Sequence, residues 1–218
     1  MQQEFWLERW ELNQIGFHNS QTNRHLKQNW SLLNQPTGSV IFVPFCGKSK
    51  DMLWLRDQGY QVIGVELSPL AVEAFFVENE LPVVIVQQDK FKVFETDKLR
   101  IYCGDFFDLT ANDLFTVNAV YDRASLVALP PDMRLDYTVK IRQLLRTGTQ
   151  ILLVAFEYFQ HEMQGPPFSV HETEVSALYG NWCDVKLLYS EDIYDQEPHF
   201  RERGLSRIQE EIYRLSVR

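Results

Sequence analysis

The feature that most constrains this chain is a strand, turn, helix, strand succession between residues 39 and 66. Residues 39–43 (Ser-Val-Ile-Phe-Val) are rich in β-branched side chains and read as a buried parallel strand, set off by the turn signal Pro36-Thr37-Gly38. Residues 49–58 then place Met52, Leu53 and Leu55 at helical spacing, and Gly59 is a natural cap for that helix. A second strand follows at 61–66, and Ser68-Pro69 supplies the N-cap and first position of a helix that runs to Glu80. Further strands are expected at 83–86, 99–102, 117–121, 149–156, 185–189 and 208–216. An amphipathic helix is expected at 132–145, closed by Gly148. Alternation of this kind predicts a mostly parallel sheet with helices on both faces. Between the last two strands lies only the loop 191–203, so those two should pair antiparallel at the sheet edge. Residues 160–169, with Pro166-Pro167, read as a loop over one edge of the sheet. No repeat, low-complexity tract or composition shift marks a second domain, and 218 residues suit one.

Composition excludes several partners. A formal charge of −9 disfavours nucleic acid, whose affinity comes from Lys and Arg, and disfavours anionic membrane surfaces for the same reason. The residues after Met1 lack a basic region followed by an apolar stretch, and the apolar runs at 40–45 and 151–156 are too short to cross a bilayer. The expectation is a cytoplasmic protein that works as a monomer. Cys46, Cys103 and Cys183 are an odd number, far apart and without a C-x-x-C pair, so they are expected as reduced, buried thiols at strand ends rather than disulfides or metal ligands.

The turn 43–51 (Val-Pro-Phe-Cys-Gly-Lys-Ser-Lys-Asp) sits where an open α/β sheet binds ligands, beyond a strand's carboxyl end and against a helix N-terminus. Gly47-Lys48-Ser49 suggests a phosphate loop, but that motif needs a glycine five residues earlier, where Phe42 stands. The dinucleotide pattern G-x-G-x-x-G fails too, because the turn holds one glycine, which alone could be no more than a helix-entry turn. Glu66 ends the second strand about twenty residues on, where a carboxylate accepts hydrogen bonds from a ribose diol. After the strand at 99–102 comes Cys103-Gly104-Asp105-Phe106-Phe107-Asp108. There Asp105 is placed to accept from an adenine amino group and Phe106 to stack on the ring, although Phe106 and Phe107 are equally at home in a core. Asp122 and Arg123 end the strand at 117–121 on the same edge; the plainer reading is a surface ion pair. Near the N-terminus, Trp6 and Trp10 stand one helical turn apart, so both can project from one face.

These strings carry a family resemblance. EFWLERWE at 4–11, QIGFH at 14–18, VPFCGKSKDMLWL at 43–55, VIGVELSPLAVEAFF at 62–76, CGDFFDL at 103–109 and YDRASLVALPPDMR at 121–134 look like those of thiopurine S-methyltransferases. GPPFSVHETEV at 165–175 and SRIQEEIYRL at 206–215 resemble bacterial members, so the likeness spans the chain. It implies a class I S-adenosylmethionine-dependent methyltransferase: a seven-stranded, mostly parallel sheet with an antiparallel last strand, in a single domain over 1–218. Apart from the resemblance, residues 1–35 precede the sheet as a cover segment, and Trp6, Trp10 and Phe17-His18 are too aromatic for an exposed arm and need a partner surface, so Phe5 to His18 is expected to fold over the bound cofactor as a lid. The resemblance also implies that Trp10, Phe45, Glu66 and Arg123 contact S-adenosyl-L-methionine, with Asp105 and Phe106 beside the adenine. Phe17, just ahead of His18, would lie against the methyl acceptor. Phe45 departs from the family, which usually has leucine there, and enlarges one wall of the cofactor site. The acceptor would be a small soft nucleophile, an aromatic or heterocyclic thiol such as a thiopurine, or a selenium or tellurium species. Arg123 would orient or stabilise charge during transfer. Two rival readings are an NAD-type oxidoreductase on a doubly wound sheet, which lacks its glycines here, and an adenosyl-binding module without turnover.

Overall fold

The structure, a computed structural model, describes residues 3–218. The chain divides into two compact units, Met1–Tyr121 and Asp122–Arg218.

The first unit is built on β1 (Val40–Val43), β2 (Gln61–Glu66), β5 (Leu99–Cys103) and β6 (Val117–Arg123), whose last two residues open the second unit. β1 pairs parallel with both β2 and β6, and β2 parallel with β5, as the alternation predicts. Ile41, Phe42, Val65 and Ile101 on these strands are fully buried, in line with strands covered on two sides. The covering helices include α3 (Asp51–Asp57), which turns out at Gly59 with φ +91, and α4 (Pro69–Glu78), N-capped by the Ser68 side chain. Gly64 interrupts β2 for a steric reason: a Cβ there would stand 2.7 Å from the Cys46 sulfur and 3.2 Å from that of Met52. Only glycine lets the β1 turn settle this close to the second strand.

Nine strands are found among the described residues, where seven were expected. The expected strand at 83–86 is β3 (Val84–Gln88), and it pairs not parallel but antiparallel with β4 (Phe91–Thr96), which in turn runs antiparallel to β5. β4 eluded the sequence reading because Lys92, Glu95 and Thr96 dilute its apolar set. Alternation holds only from Phe91 to Val93, with Lys92 exposed between them; Phe94, on the Lys92 face, is buried as well.

The N-terminal residues divide sharply. α1 (Gln3–Glu11) buries no residue. α2 (Arg24–Asn29) and the 3-10 turn after it bury His25, Leu26, Trp30 and Leu33. Asn23 caps α2 with its side chain while its own N–H donates to Asp51 at 2.7 Å. Asp51 also accepts from the Tyr121 hydroxyl at 3.1 Å, so this buried carboxylate pins the 23–33 segment to β6.

The second unit holds α5 (Pro131–Leu144), β7 (Gln150–Glu157), α6 (Glu172–Tyr179), β8 (Cys183–Asp192), α7 (Pro198–Glu202) and β9 (Gln209–Val217). β8 pairs antiparallel with β9 as expected, and β9 also runs antiparallel to β7. The connection expected as plain loop carries the five-residue α7, whose Phe200 packs with Tyr158, Met163, Ile193, Leu205 and Ile208. Cys46, Cys103 and Cys183 are free and buried, at or beside strand ends. Among the described residues no helix is long and apolar enough to cross a membrane.

Candidate active site

Three turns at the carboxyl ends of β1, β2 and β5 meet around one carboxylate. Glu66, the last residue of β2, is only 6 % exposed. One of its oxygens accepts from the Gly47 N–H and the other from the Ser68 N–H, both at 2.8 Å. Its own carbonyl accepts from the Gly104 N–H at 2.9 Å, and the Cys46 N–H reaches the Val65 carbonyl at 3.0 Å. Glu66 therefore sets the relative positions of all three turns. Burial raises its pKa, and the backbone donors from Ser68 and Gly47 oppose that shift. The Leu67 amide is a third backbone donor to this carboxylate, so of its roughly four acceptor positions one is left for a further donor.

The β1 turn has backbone that few side chains tolerate: Phe45 sits at φ +45 and Gly47 at φ +51. Phe45, half-buried, meets the buried Phe106 ring edge to face at 5.2 Å. Phe106 opens the short turn after β5 that Asp105 caps by accepting from the Phe107 N–H at 2.9 Å. The other Asp105 oxygen accepts from the Gln3 side-chain amide at 2.5 Å. Gly104 is required where a Cβ would stand 2.7 Å from the Phe91 ring. Lys48, the tempting phosphate-loop residue, forms an ion pair with Glu78 of α4 at 2.7 Å.

Over the β1 turn lies an aromatic group from the N-terminal segment. Trp10 faces Gly47 so closely that a Cβ added there would be 3.1 Å from the indole. Phe17 meets Trp10 at 5.5 Å and Trp6 at 5.6 Å, both edge to face. All three rings are half-buried. His18 is half-buried too, with its N–H on the Ile15 carbonyl.

In the second unit, Arg123 is the half-buried last residue of β6. Asp122 beside it is no surface group: it is 2 % exposed and accepts from the Tyr137 hydroxyl at 2.7 Å and the Leu126 N–H at 3.2 Å. Burial is the largest cause of a pKa raised to about 6. The turn it organises is tied onward. The Phe168 N–H donates to the Val127 carbonyl at 2.7 Å, and Arg134, buried, donates to the Leu129 carbonyl at 2.9 Å and pairs with Glu174 at 2.5 Å.

The structure thus brings Trp10, Phe17, Phe45, Glu66, Asp105 and Phe106 to one set of turns in the first unit, while Arg123 stands at a strand end in the second. Sequence reasoning missed Gln3, whose type and position carry no signal, and Ser68, which it read only as a helix cap. It also missed the burial of Asp122, which a carboxylate followed directly by arginine conceals.

A family model described as thiopurine S-methyltransferase (TPMT) matches residues 1–218. The thiopurine S-methyltransferase of Nitrosospira multiformis is 50 % identical over 218 residues, covering 100 % of this chain and 99 % of that one. That of Pseudomonas fluorescens strain SBW25 is 44 % identical, covering all of both chains. Among solved structures, an S-adenosylmethionine-dependent methyltransferase from Anabaena variabilis superposes with a TM-score of 0.66 at 12 % identity, over 99 % of this chain and 95 % of that one. The 1,6-didemethyltoxoflavin-N1-methyltransferase of Burkholderia thailandensis, solved with S-adenosylhomocysteine, gives 0.60 at 15 % identity over 98 % and 87 %. The structural likenesses establish the α/β methyltransferase fold, and the sequence matches establish that the chain belongs to the thiopurine S-methyltransferase family.

Proposed function

We propose that this chain binds S-adenosylmethionine against the turns around Glu66 and transfers its methyl group to a small, soft nucleophile, an aromatic or heterocyclic thiol of the thiopurine kind. Selenium and tellurium species have the same polarisable character. The observation that carries the reading is the Glu66 carboxylate, fixed by backbone amides of Gly47, Ser68 and Leu67 at the carboxyl end of β2 with acceptor capacity left over. That acceptor suits the hydroxyl donors of a ribose diol, and the aromatic walls suit the rest of the molecule. Phe45 and Phe106 offer ring faces and edges for an adenine, and Asp105 an acceptor for its amino group. Bound S-adenosylmethionine supplies a methyl group on a cationic sulfur, ready for in-line attack.

The chain's own part is alignment and exclusion of water. The Trp10 indole is suited to attract a positive centre. Arg123, with its planar fork of guanidinium donors, is read as the partner of an anion, either a carboxylate of the cofactor or the incoming thiolate. Phe17 and His18 are assigned to the acceptor side. An aromatic thiol ionises partly at neutral pH, so no histidine base is required. We read 1–218 as one methyltransferase domain with the N-terminal residues as its cover. A cytosolic setting suits its three free buried thiols.

Thermal melting tests the cofactor assignment. S-adenosylhomocysteine should raise the melting temperature, and ATP and GTP should not. A nucleotide-dependent rise without one from S-adenosylhomocysteine would overturn it. Transfer of a labelled methyl group to a heterocyclic thiol then tests the reaction.

A further inference from the structure

Arg134, near the start of α5, is a buried charge for which the proposed chemistry has no use; its side chain is 1 % exposed. Its Nε donates to the Leu129 carbonyl at 2.9 Å, and its Nη1 pairs with Glu174 at 2.5 Å. Its Nη2 is buried with no hydrogen-bond partner among the described residues. The guanidinium lies over the Phe168 ring, 5.8 Å from its centre. Burying a guanidinium with a donor unused is costly, and a well-packed apolar side chain of similar volume often holds a fold as well or better. A charge kept on such terms points to positioning rather than to stability.

What it joins are the loops that leave the carboxyl ends of β6 and β7. Arg123 ends β6, and Ala124 after it takes φ +64, a left-handed conformation that a residue with a side chain keeps only where its surroundings impose it. The buried turn 125–129 follows. Asp122 holds the near end of this turn through the Leu126 N–H, and Arg134 holds the far end through the Leu129 carbonyl. Between these two points the Val127 carbonyl accepts from the Phe168 N–H at 2.7 Å, which fastens the loop after β7 to the turn after β6. The Phe168 ring is confined as well: a Cβ on Gly165 would stand 2.6 Å from it, and the Arg134 guanidinium covers it. The Tyr158 hydroxyl donates to the Pro167 carbonyl at 2.7 Å, and Glu174 lies in the first turn of α6, where the loop ends.

We infer that Arg134 is a positioning residue for the methyl acceptor: without touching a reactant, it fixes the turn that carries Arg123 and the Phe168 loop as one wall of the acceptor side. The inference rests on the function proposed above and takes Arg123 as the partner of the incoming thiolate. The task suits arginine alone, because a planar fork can serve Leu129 and Glu174 at once while lysine offers a single charged point. Leu129, Phe168 and Glu174 all belong to the second unit, so the cofactor turns around Glu66 in the first are spared.

Steady-state methyl transfer to 6-mercaptopurine by the full chain tests this, beside calorimetry with S-adenosylhomocysteine and thermal melting. Arg134→Met and Arg134→Lys should each lower kcat/KM for the thiol by about tenfold or more, chiefly through KM. Affinity for S-adenosylhomocysteine should stay within about twofold of wild type. The Phe168 amide should exchange faster in Arg134→Met. Stability is separated from positioning by the partner: Glu174→Gln strands the buried guanidinium without its counter-charge and should lower the melting temperature, and adding Arg134→Met should restore it. In that double variant the thiol KM should remain high. A KM unchanged in Arg134→Met, or one that recovers together with the melting temperature in the double variant, would overturn the inference and leave Arg134 a purely structural role. A wild-type protein that binds S-adenosylhomocysteine but methylates no thiol would overturn the functional reading, and this inference with it.

Discussion

The Trp10 indole rests on the backbone of Gly47, so near that the space for a β-carbon is already narrowed to 3.1 Å. Gly47 also holds φ +51, a region that side chains adopt at a cost, and its N–H is committed to Glu66. Gly47→Ala should therefore displace Trp10 as well as strain the turn. We expect a loss of about 1 kcal/mol in stability from the backbone alone. If Trp10 covers the cofactor, a fall of about tenfold in S-adenosylhomocysteine affinity should accompany it. Calorimetry on Gly47→Ala beside Trp10→Ala checks the coupling: if the tryptophan is the route, the double variant should lose little more than Trp10→Ala alone.

Glu66 combines two duties that substitutions can separate. Replacing it with alanine leaves the Gly47 and Ser68 amides without their acceptor and removes the acceptor proposed for the diol, each loss being worth about 1–3 kcal/mol. Glu66→Gln keeps one acceptor oxygen and the shape. Unfolding in denaturant without ligand should rank the proteins wild type, then Glu66→Gln, then Glu66→Ala. Binding of S-adenosylhomocysteine should fall in both variants. A Glu66→Ala protein that is destabilised but binds normally would leave this residue a purely structural role.

Asp122 gives a prediction in pH. Burial lifts its carboxyl to about 6 in the folded chain, against about 3.9 unfolded. Below the unfolded value both states are protonated and nothing is lost. As pH rises from about 4 to about 6, the unfolded chain releases its proton first, so this residue's contribution to stability declines and then levels off, by about 2–3 kcal/mol in all. Asp122→Asn keeps an acceptor for the Tyr137 hydroxyl and cannot titrate. Wild-type stability minus that of Asp122→Asn, from urea unfolding, should fall across this window. A flat difference would show that the carboxyl does not remain protonated there.

How far these groups were legible in sequence depended on how local their causes are. β1, β2 and their turns announce themselves because runs of β-branched residues, Gly59 and Ser68-Pro69 act within a few positions. Glu66 was readable as a strand-end acid from its position alone. Its hold on Gly47 and Ser68 was not, because that depends on two turns folding onto it. The β3–β4 hairpin was missed because Asp89-Lys90 is no strong turn signal and Lys92, Glu95 and Thr96 interrupt the apolar run of β4. Asp122 looked like half of an ion pair because its buried partner, Tyr137, lies a helix away. The N-terminal aromatics were correctly suspected of needing a partner surface, but nothing in the sequence divides the exposed α1 from the buried segment 23–33.

That division makes the lid proposal testable. Residues 23–33 are anchored by Asn23 on Asp51 and by buried Leu26, Trp30 and Leu33, and they belong to the core of the first unit. Residues 3–18 are held differently. α1 buries nothing, its aromatic side chains Trp6 and Trp10 meet Phe17 edge to face, and its ties to the turns are Trp10 on Gly47 and Gln3 on Asp105. Such a segment has little of its own to keep it closed, and edge-to-face pairs contribute about 0.5–1.5 kcal/mol each. A ligand that adds contacts to Trp10 and Asp105 would shift it toward closure by its differential affinity. Removing residues 1–18 should thus leave a protein that still melts cooperatively but has lost most methyl transfer and much affinity for S-adenosylhomocysteine. Amide exchange supplies the stricter test. Protection at residues 5–18 should rise markedly when S-adenosylhomocysteine is added, while residues 24–33 stay protected in either state. Equal protection of 5–18 with and without ligand would mean a permanently docked arm, and the aromatic trio would then be structural rather than a lid.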